Sequence, residues 1–456
     1  MRRRTFVSAL GAAATAGLLS APAARAAVAP SIAPRLTDRD PLASANARAV
    51  YDFLVSLENR ARSGNNPMTV IGQHIETHQE LYNSSYGDTG GTTFSGYYYK
   101  KARDITGKLS GFVEIDLGPG YGATGWGRYG DRNYDRDLGL PTGVRGWQYT
   151  DDAVDLAFGV WKGLPRPADG SYNPGGVMTK LDGTTAALDN GGAAAGIVGM
   201  SFHQPYPGSA VKSWSRVLNQ VEGQCPQNNA SYPVATITTD QAWFDRLLDR
   251  ENDTPEYRAL LSDLEFLAAS LSYFAAWDVP VLLRPYHEMN GSSFWWGGKS
   301  PASYKKLWTI TYDFLVRTKG LHNLIFVWAP SAWARPGGTV PWDYYPGADR
   351  VDVVGVDDYY TGYSDFTHTH YTGLVDYAKP RMLAEAYHVP VKADGTNALT
   401  RSPWVIWSTW GSGLTKTEYN TPADVQATYY AARQVYTGGS GTGLGQNFAW
   451  GSVHAH

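Results

Sequence analysis

The chain has 456 residues, 43% of them apolar, a formal net charge of −3 and a single cysteine, Cys225. A balance this close to neutral argues against nucleic acid or an anionic membrane as partner, and one cysteine excludes an internal disulfide framework. The length suits one large domain or two ordinary ones.

The N-terminus reads as a targeting segment. Arg2, Arg3 and Arg4 precede Thr5-Phe6 in a twin-arginine pattern, an Ala/Leu-rich run extends to about Leu19, and Ala24-Arg25-Ala26 offers a small-x-small cleavage site. The run is too short and too rich in Ala and Gly for a stable transmembrane helix. The expected organisation is therefore a signal peptide over 1–26, a Pro/Ala-rich lead-in over 27–40 and one catalytic domain over 41–456, secreted outside the cell by the twin-arginine route. Cys225 lies in a Gly/Pro/Asn-rich loop and is given no role.

Within that domain short apolar runs alternate with helical patterns. Candidate strands are Met68–Gln73, Gly111–Asp116, Gly196–Phe202, Val279–Pro285, Leu324–Ala329, Val351–Val356, Arg381–Ala384 and Pro403–Ser408. Candidate helices include Ser44–Arg62, Gln241–Trp277 (broken once), Ser303–Thr318 and Thr421–Tyr436. Eight strands alternating with helices predict a single α/β domain, a (β/α)8 TIM barrel. Long loop insertions follow the second and third strands, over Leu117–Asn190 (with a helical interlude at Asp151–Lys162) and Gln204–Thr239. An open doubly wound sheet is the runner-up, weakened because no strand leads into a GxGxxG or P-loop fingerprint.

Polar residues gather at the predicted carboxyl ends of seven of the eight strands, where an α/β barrel builds its site. In chain order these are Gln73-His74 (with Glu76 and His78 behind), Glu114-Ile115-Asp116, Ser201-Phe202-His203, His287-Glu288, Asp357-Asp358-Tyr359, Glu385, and Trp407 through Trp410. The densest cluster follows the fourth strand, in RPYHEMNGSSFWWGG from Arg284 to Gly298. A carboxylic acid beside indole rings is the equipment for cleaving a sugar polymer: aromatic faces take up pyranose C–H surfaces and the carboxyl group moves a proton. The 30 Tyr and 16 Trp of the chain, often beside Gly, suit the same task. Glu288 and Glu385, from facing strands, can form the carboxyl pair of glycosidic cleavage. They would stand roughly 5–5.5 Å apart for retention and 6.5–9.5 Å apart for inversion. The plain alternatives are an ion pair between Glu288 and Arg284, and a structural ion pair at Glu385.

RPYHEMNG followed by FWWGG resembles the acid/base motif of glycoside hydrolase family 26, whose best-known members are endo-β-1,4-mannanases, and MLAEAYH resembles that family's nucleophile strand. GQH at Gly72–His74, SFHQPYPG at Ser201–Gly208 and GVDDYY at Gly355–Tyr360 fall in the family's order. The resemblance implies a (β/α)8 barrel that retains anomeric configuration, with Glu288 as acid/base and Glu385 as nucleophile. It implies further that Arg284 and Tyr359 keep Glu385 ionised and oriented. His287 would contact the sugar or the nucleophile, and His203 would be similarly placed. Trp407 would floor the reacting sugar, with Trp410 as rival. Trp296, among Phe294, Trp295 and Trp296, would offer a sugar platform while at least one of these rings is core. Asp357 would hold either a substrate hydroxyl or Arg284. Where family members commonly have Trp, this chain has Ser293, which removes a stacking surface near the cleavage point.

Retaining hydrolysis needs no cofactor and no metal. His368 with His370, and His454 with His456, form HxH pairs without HExxH or a cysteine cluster, so they are expected to be exposed loop and tail histidines. The expected partner is a polysaccharide or oligosaccharide, met by a monomer, with no nucleic acid and no membrane. The leading expectation is a β-1,4-mannanase. A β-1,3-1,4-glucanase, a β-1,3-xylanase of the same chemistry, or an inactive carbohydrate-binding barrel are the alternatives.

Overall fold

A computed structural model of the chain describes residues 29–74, 97–117, 196–209, 216–220 and 237–438 apart from 277, 335, 361–362, 415 and 432–434, together with 157, 160–161, 178–179 and 185–186. The signal segment, Glu76, His78, Cys225, His454, His456 and most of the two long insertions lie outside the described residues.

Eight parallel strands form the centre: β1 (Thr69–His74), β2 (Phe112–Leu117), β3 (Ile197–Phe202), β4 (Val281–Pro285), β5 (Leu324–Trp328), β6 (Val353–Asp357), β7 (Arg381–Ala386) and β8 (Ile406–Trp410). Each pairs with its neighbours in sequence, and β8 pairs back onto β1, with Val70 opposite Ile406 and His74 opposite Trp410. That closure makes the expected barrel and excludes the open doubly wound sheet. The strands are buried along their whole length, as both faces of a barrel wall require, one packed inside and the other under helices. Phe112 fills the interior between β1 and β3: a methyl group on Gly72 or Gly199 would meet its ring at 2.6 and 2.4 Å, so both neighbours must be glycine.

Six of the connecting helices start on side-chain caps. Ser44 caps α1 (Ala45–Ser63), which ends on left-handed Gly64. The pattern over Gln241–Trp277 resolves into α3 (Gln241–Leu247) and α4 (Pro255–Ala275), split by a turn and restarted by Thr254 with Pro255 in the first turn. Between α1 and these lies α2 (Tyr97–Thr106). Ser300 and Pro301 start α5 (Pro301–Tyr312), which runs on as a π-helical segment to Thr318. α6 (Asp365–Gly373) follows β6 and α7 (Pro422–Tyr429) follows β8.

One expectation needs correction. The helix predicted to reach Tyr436 stops at Tyr429. The β-branched and aromatic run Val435–Gly438 instead pairs parallel with β1 and antiparallel with Leu109–Ser110. The lead-in also docks on the barrel: Ile32 and Leu36 are buried, Arg39 pairs with Asp352 at 2.8 Å, and Asp40 meets His322 at 2.9 Å. The described end of the lead-in, from Ile32 to Asp40, therefore packs against the barrel. Among the described residues no helix is long and apolar enough to cross a membrane.

Candidate active site

The register brings the strand ends together at one mouth of the barrel. His74 lies opposite Glu114, Asp116 opposite Ser201, Ser201 opposite Arg284, and Asp357 opposite Glu385. Arg284, on β4, is buried at the centre. Its Nε donates to Glu114 at 2.7 Å, its Nη1 to Asp357 at 2.8 Å, and its Nη2 to Glu385 Oε1. The guanidinium of Arg284 is thus committed to these three carboxyl groups, in place of the simple Glu288–Arg284 pair that was the alternative.

One cation cannot balance three buried anions in a medium that screens poorly. Burial pushes Glu114 up, and burial with the charges of Glu385 and Glu288 pushes Asp357 well above the usual carboxylate range although Arg284 opposes it. Glu385 goes the other way. Burial disfavours its charge, but Arg284, His74 and the Tyr359 hydroxyl together hold it below the usual value. Tyr359 donates to Glu385 Oε2, so both oxygens of this carboxylate are fixed by donors. The arrangement favours the charged form of Glu385 and disfavours it on the neighbouring Asp357 and Glu114.

Glu288 sits differently. It is half-buried and lines a cavity of about 590 Å³ with Asn290, Ser293, Asp357, Tyr359 and Tyr360. Its backbone is left-handed, φ 55°, as is that of Tyr286, φ 52°, two residues before. For residues other than glycine each such conformation costs on the order of 1 kcal/mol. Hydrogen bonds hold them: Glu288 N–H donates to Ala329 O at 2.9 Å, Gly291 N–H donates to Glu288 O at 2.9 Å, and Tyr304 donates to Tyr286 O at 3.2 Å. The charges of Glu288 and Glu385 both act on Asp357 and on Tyr359, so the two glutamates flank the same pair of side chains.

A buried chain of polar groups approaches from the other side. His74 Nε2 and His203 Nδ1 both reach Asp116 Oδ1, at 3.2 and 2.9 Å, and Ser201 donates to the same oxygen. His203 Nε2 is 3.2 Å from His287 Nε2, which is 4.0 Å from Glu385 Oε1. Burial opposes charge on His74, but Asp116 outweighs it and pushes the imidazole up to about 9. Asp116 is held well below the usual range against its own burial by the two imidazoles. Burial, then the nearby Arg284 and His203 charges, drive His287 far down, so it is neutral.

The structure therefore gathers Arg284, Glu288, Asp357, Tyr359 and Glu385, with His203 and His287, around one mouth. Asp357 holds Arg284, one of the two expectations for it: Oδ2 accepts from Arg284, while buried Oδ1 has no hydrogen-bond partner among the described residues and the residue lines the cavity. Two aromatic assignments are corrected. Trp296 is fully buried, stacked on Phe294 at 4.5 Å and donating to His287 O at 2.7 Å, so it supports the histidine from beneath and presents no free face. Trp407 is fully buried in the main core with its Nε1 donating to His388 O. Its rival Trp410 stacks on His74 at 4.0 Å and meets the edge of Tyr359 at 6.2 Å. His370, expected to be exposed, is buried in α6 against Asp358 at 2.9 Å.

Glu114, Asp116 and His74 were visible as polar strand ends, but nothing in their spacing said that Glu114 would bind Arg284 or that Asp116 would bind both His74 and His203. His287, Asp357 and Glu385 offer ligand atoms within 4.8 Å of one another, a candidate cation site. The Arg284 guanidinium already bonds two of the three, so a metal ion would have to displace a buried cation.

Comparison with known proteins agrees with this geometry. The family model described as glycosyl hydrolase family 26 matches residues 167–413, more than half of the chain. A mannan endo-1,4-beta-mannosidase from Thermothelomyces thermophilus is 34% identical over 187 residues, 41% of this chain and 36% of that protein. One from Bacillus subtilis is 38% identical over 132 residues, 27% of this chain and 34% of that protein. The matched stretches thus span only about a third of these relatives' length. The solved structure of a Bacillus subtilis mannanase superposes with a TM-score of 0.57 at 20% identity, covering 90% of this chain and 96% of that one, a likeness of fold.

Proposed function

This chain belongs to glycosyl hydrolase family 26, and from that premise we propose that it cleaves β-1,4-mannosidic linkages in mannan-type polysaccharides by double displacement, with retention of configuration. Glu385 attacks the anomeric carbon while Glu288 protonates the departing glycosidic oxygen, giving a glycosyl ester on Glu385 and a free alcohol. Water then attacks that carbon, Glu288 takes its proton, and the Glu385 carboxylate leaves. The observation that carries this reading is the contrast in environment. Glu385 has both oxygens bound by donors and its pKa lowered, whereas Glu288 faces a water-accessible cavity from a constrained backbone.

Arg284 and Tyr359 hold the nucleophile ionised, and Asp357, His203 and His287 line the place of the reacting sugar. Trp410 supplies its aromatic contact. Mannan as substrate is supported by the names of the curated relatives, and export by the twin-arginine leader at the N-terminus. Incubation with mannan, lichenan and β-1,3-xylan tests the substrate: the proposal expects oligosaccharides from mannan, and release from only the other two overturns it.

A further inference from the structure

The HxH pair at His368 and His370 finds no place in the reaction above, and His370 is fully buried. Its Nε2 accepts the backbone N–H of Ala334 at 2.9 Å, so that nitrogen carries no hydrogen and Nδ1 must donate to Asp358 Oδ2, 2.9 Å away. Asp358 stands between Asp357, which holds Arg284, and Tyr359, which holds Glu385. Its own N–H donates to Glu385 O at 2.8 Å, while its carboxylate takes the Tyr360 N–H at 3.0 Å and the Thr367 hydroxyl at 2.7 Å.

Ala334 belongs to the segment after β5 that supplies Ser331, Ala332, Gly337, Gly338 and Thr339 to the cavity wall. That segment is tied at its ends. Ala332 N–H donates to Asp357 O at 3.0 Å, and the Asn290 amide donates to Ser331 O at 3.0 Å and Thr339 O at 2.7 Å. Between those ties Trp333 packs edge-on to the His370 ring at 4.6 Å, and Gly338 lies so close to Trp333 that a methyl there would meet its carbonyl at 2.4 Å.

We propose that His370 is a positioning residue, a brace from Asp358 to Ala334 that fixes the β5–α6 side of the cavity wall to the segment orienting Glu385, and so sets how firmly a polysaccharide is gripped beside Glu288. The inference rests on the glycosidase reading. It concerns binding of the chain and leaves the chemical step to the glutamates. His370→Asn retains a group near Nδ1 for Asp358 but cannot reach Ala334. His370→Gln is long enough to offer its amide oxygen to the Ala334 N–H and its amide N–H to Asp358, so it can keep both ends of the brace. Ala334→Pro deletes the N–H on a half-buried segment and leaves His370 with Asp358.

The test is KM and kcat on soluble β-1,4-mannan oligosaccharides for the wild type and these variants. Loss of one such hydrogen bond should raise KM about three- to tenfold in His370→Asn and Ala334→Pro, with kcat within about twofold of wild type. His370→Gln should bring KM back to within about twofold. An unchanged KM in the first two, a fall in kcat at constant KM, or a Gln variant as impaired as the Asn variant each overturns the brace. If His370→Asn does not fold, Ala334→Pro and His370→Gln decide alone. A wild type that leaves mannan intact refutes the substrate reading and not the brace, and the same split is then read on lichenan or β-1,3-xylan.

Discussion

Glu385 and Glu288 carry the same side chain at the mouth of one barrel and meet opposite treatment. The β7 side is a closed electrostatic cage: Arg284 and Tyr359 bind both oxygens of Glu385, while burial pushes the neighbouring carboxyl groups of Asp357 and Glu114 upward. The β4 side is open: Glu288 rides on a left-handed backbone at the edge of the cavity. A barrel that must hold one carboxylate charged and let another exchange its proton with substrate and water cannot give both the same surroundings. The difference teaches that neighbours, more than sequence position, separate nucleophile from acid.

The comparison breaks most sharply on removal of either glutamate. Glu385→Ala should lower kcat by at least ~10⁴-fold, as loss of a covalent nucleophile does, while calorimetry still detects oligosaccharide binding. Unchanged hydrolysis would remove Glu385 from the reaction. Glu288→Gln should cost about 10²–10⁴-fold on mannan, the usual worth of proton transfer. It should cost far less in ester formation from an aryl glycoside whose leaving group needs no proton. Equal losses on both substrates would deny Glu288 its role as acid.

The two tryptophans of β8 sharpen the contrast between core and site. Trp407→Ala should destabilise the fold by about 3–5 kcal/mol, the range for a large buried aromatic, read as a fall in the thermal midpoint. Trp410→Ala should cost less stability and raise KM. The reverse pattern would return the sugar floor to Trp407.

The smallest effect concerns His74. Its folded pKa of about 9 lies above the unfolded value near 6.5, so the proton shared with Asp116 stabilises the fold fully below pH 6.5. That contribution is lost as pH rises through about 9. Denaturant unfolding between those limits should show stability falling with pH, and His74→Gln should flatten that slope. A slope unchanged in the variant would assign it to other groups.

The barrel was legible because parallel strands buried on both faces leave continuous apolar runs, and polar residues at their ends stand out against them. The same burial explains where reading failed. Trp407 and Trp410 are three residues apart, so they leave the strand on opposite faces, and a run buried on both sides does not say which face is inward. Phe294, Trp295 and Trp296 posed the same problem, since stacking between Phe294 and Trp296 is a tertiary fact. Arg284 was readable as a partner of Glu385, yet its bond to Glu114 joins residues 170 positions apart and left no local mark. His370 looked like a loop histidine because the partner that buries it, Asp358, lies on the other side of a turn from α6.

The most direct test follows the anomeric configuration of the first product by proton NMR while a mannan oligosaccharide is being cleaved. Double displacement through Glu385 predicts that the β anomer appears first and only later mutarotates. Initial release of the α anomer would contradict a covalent intermediate and with it the division of labour between the two glutamates.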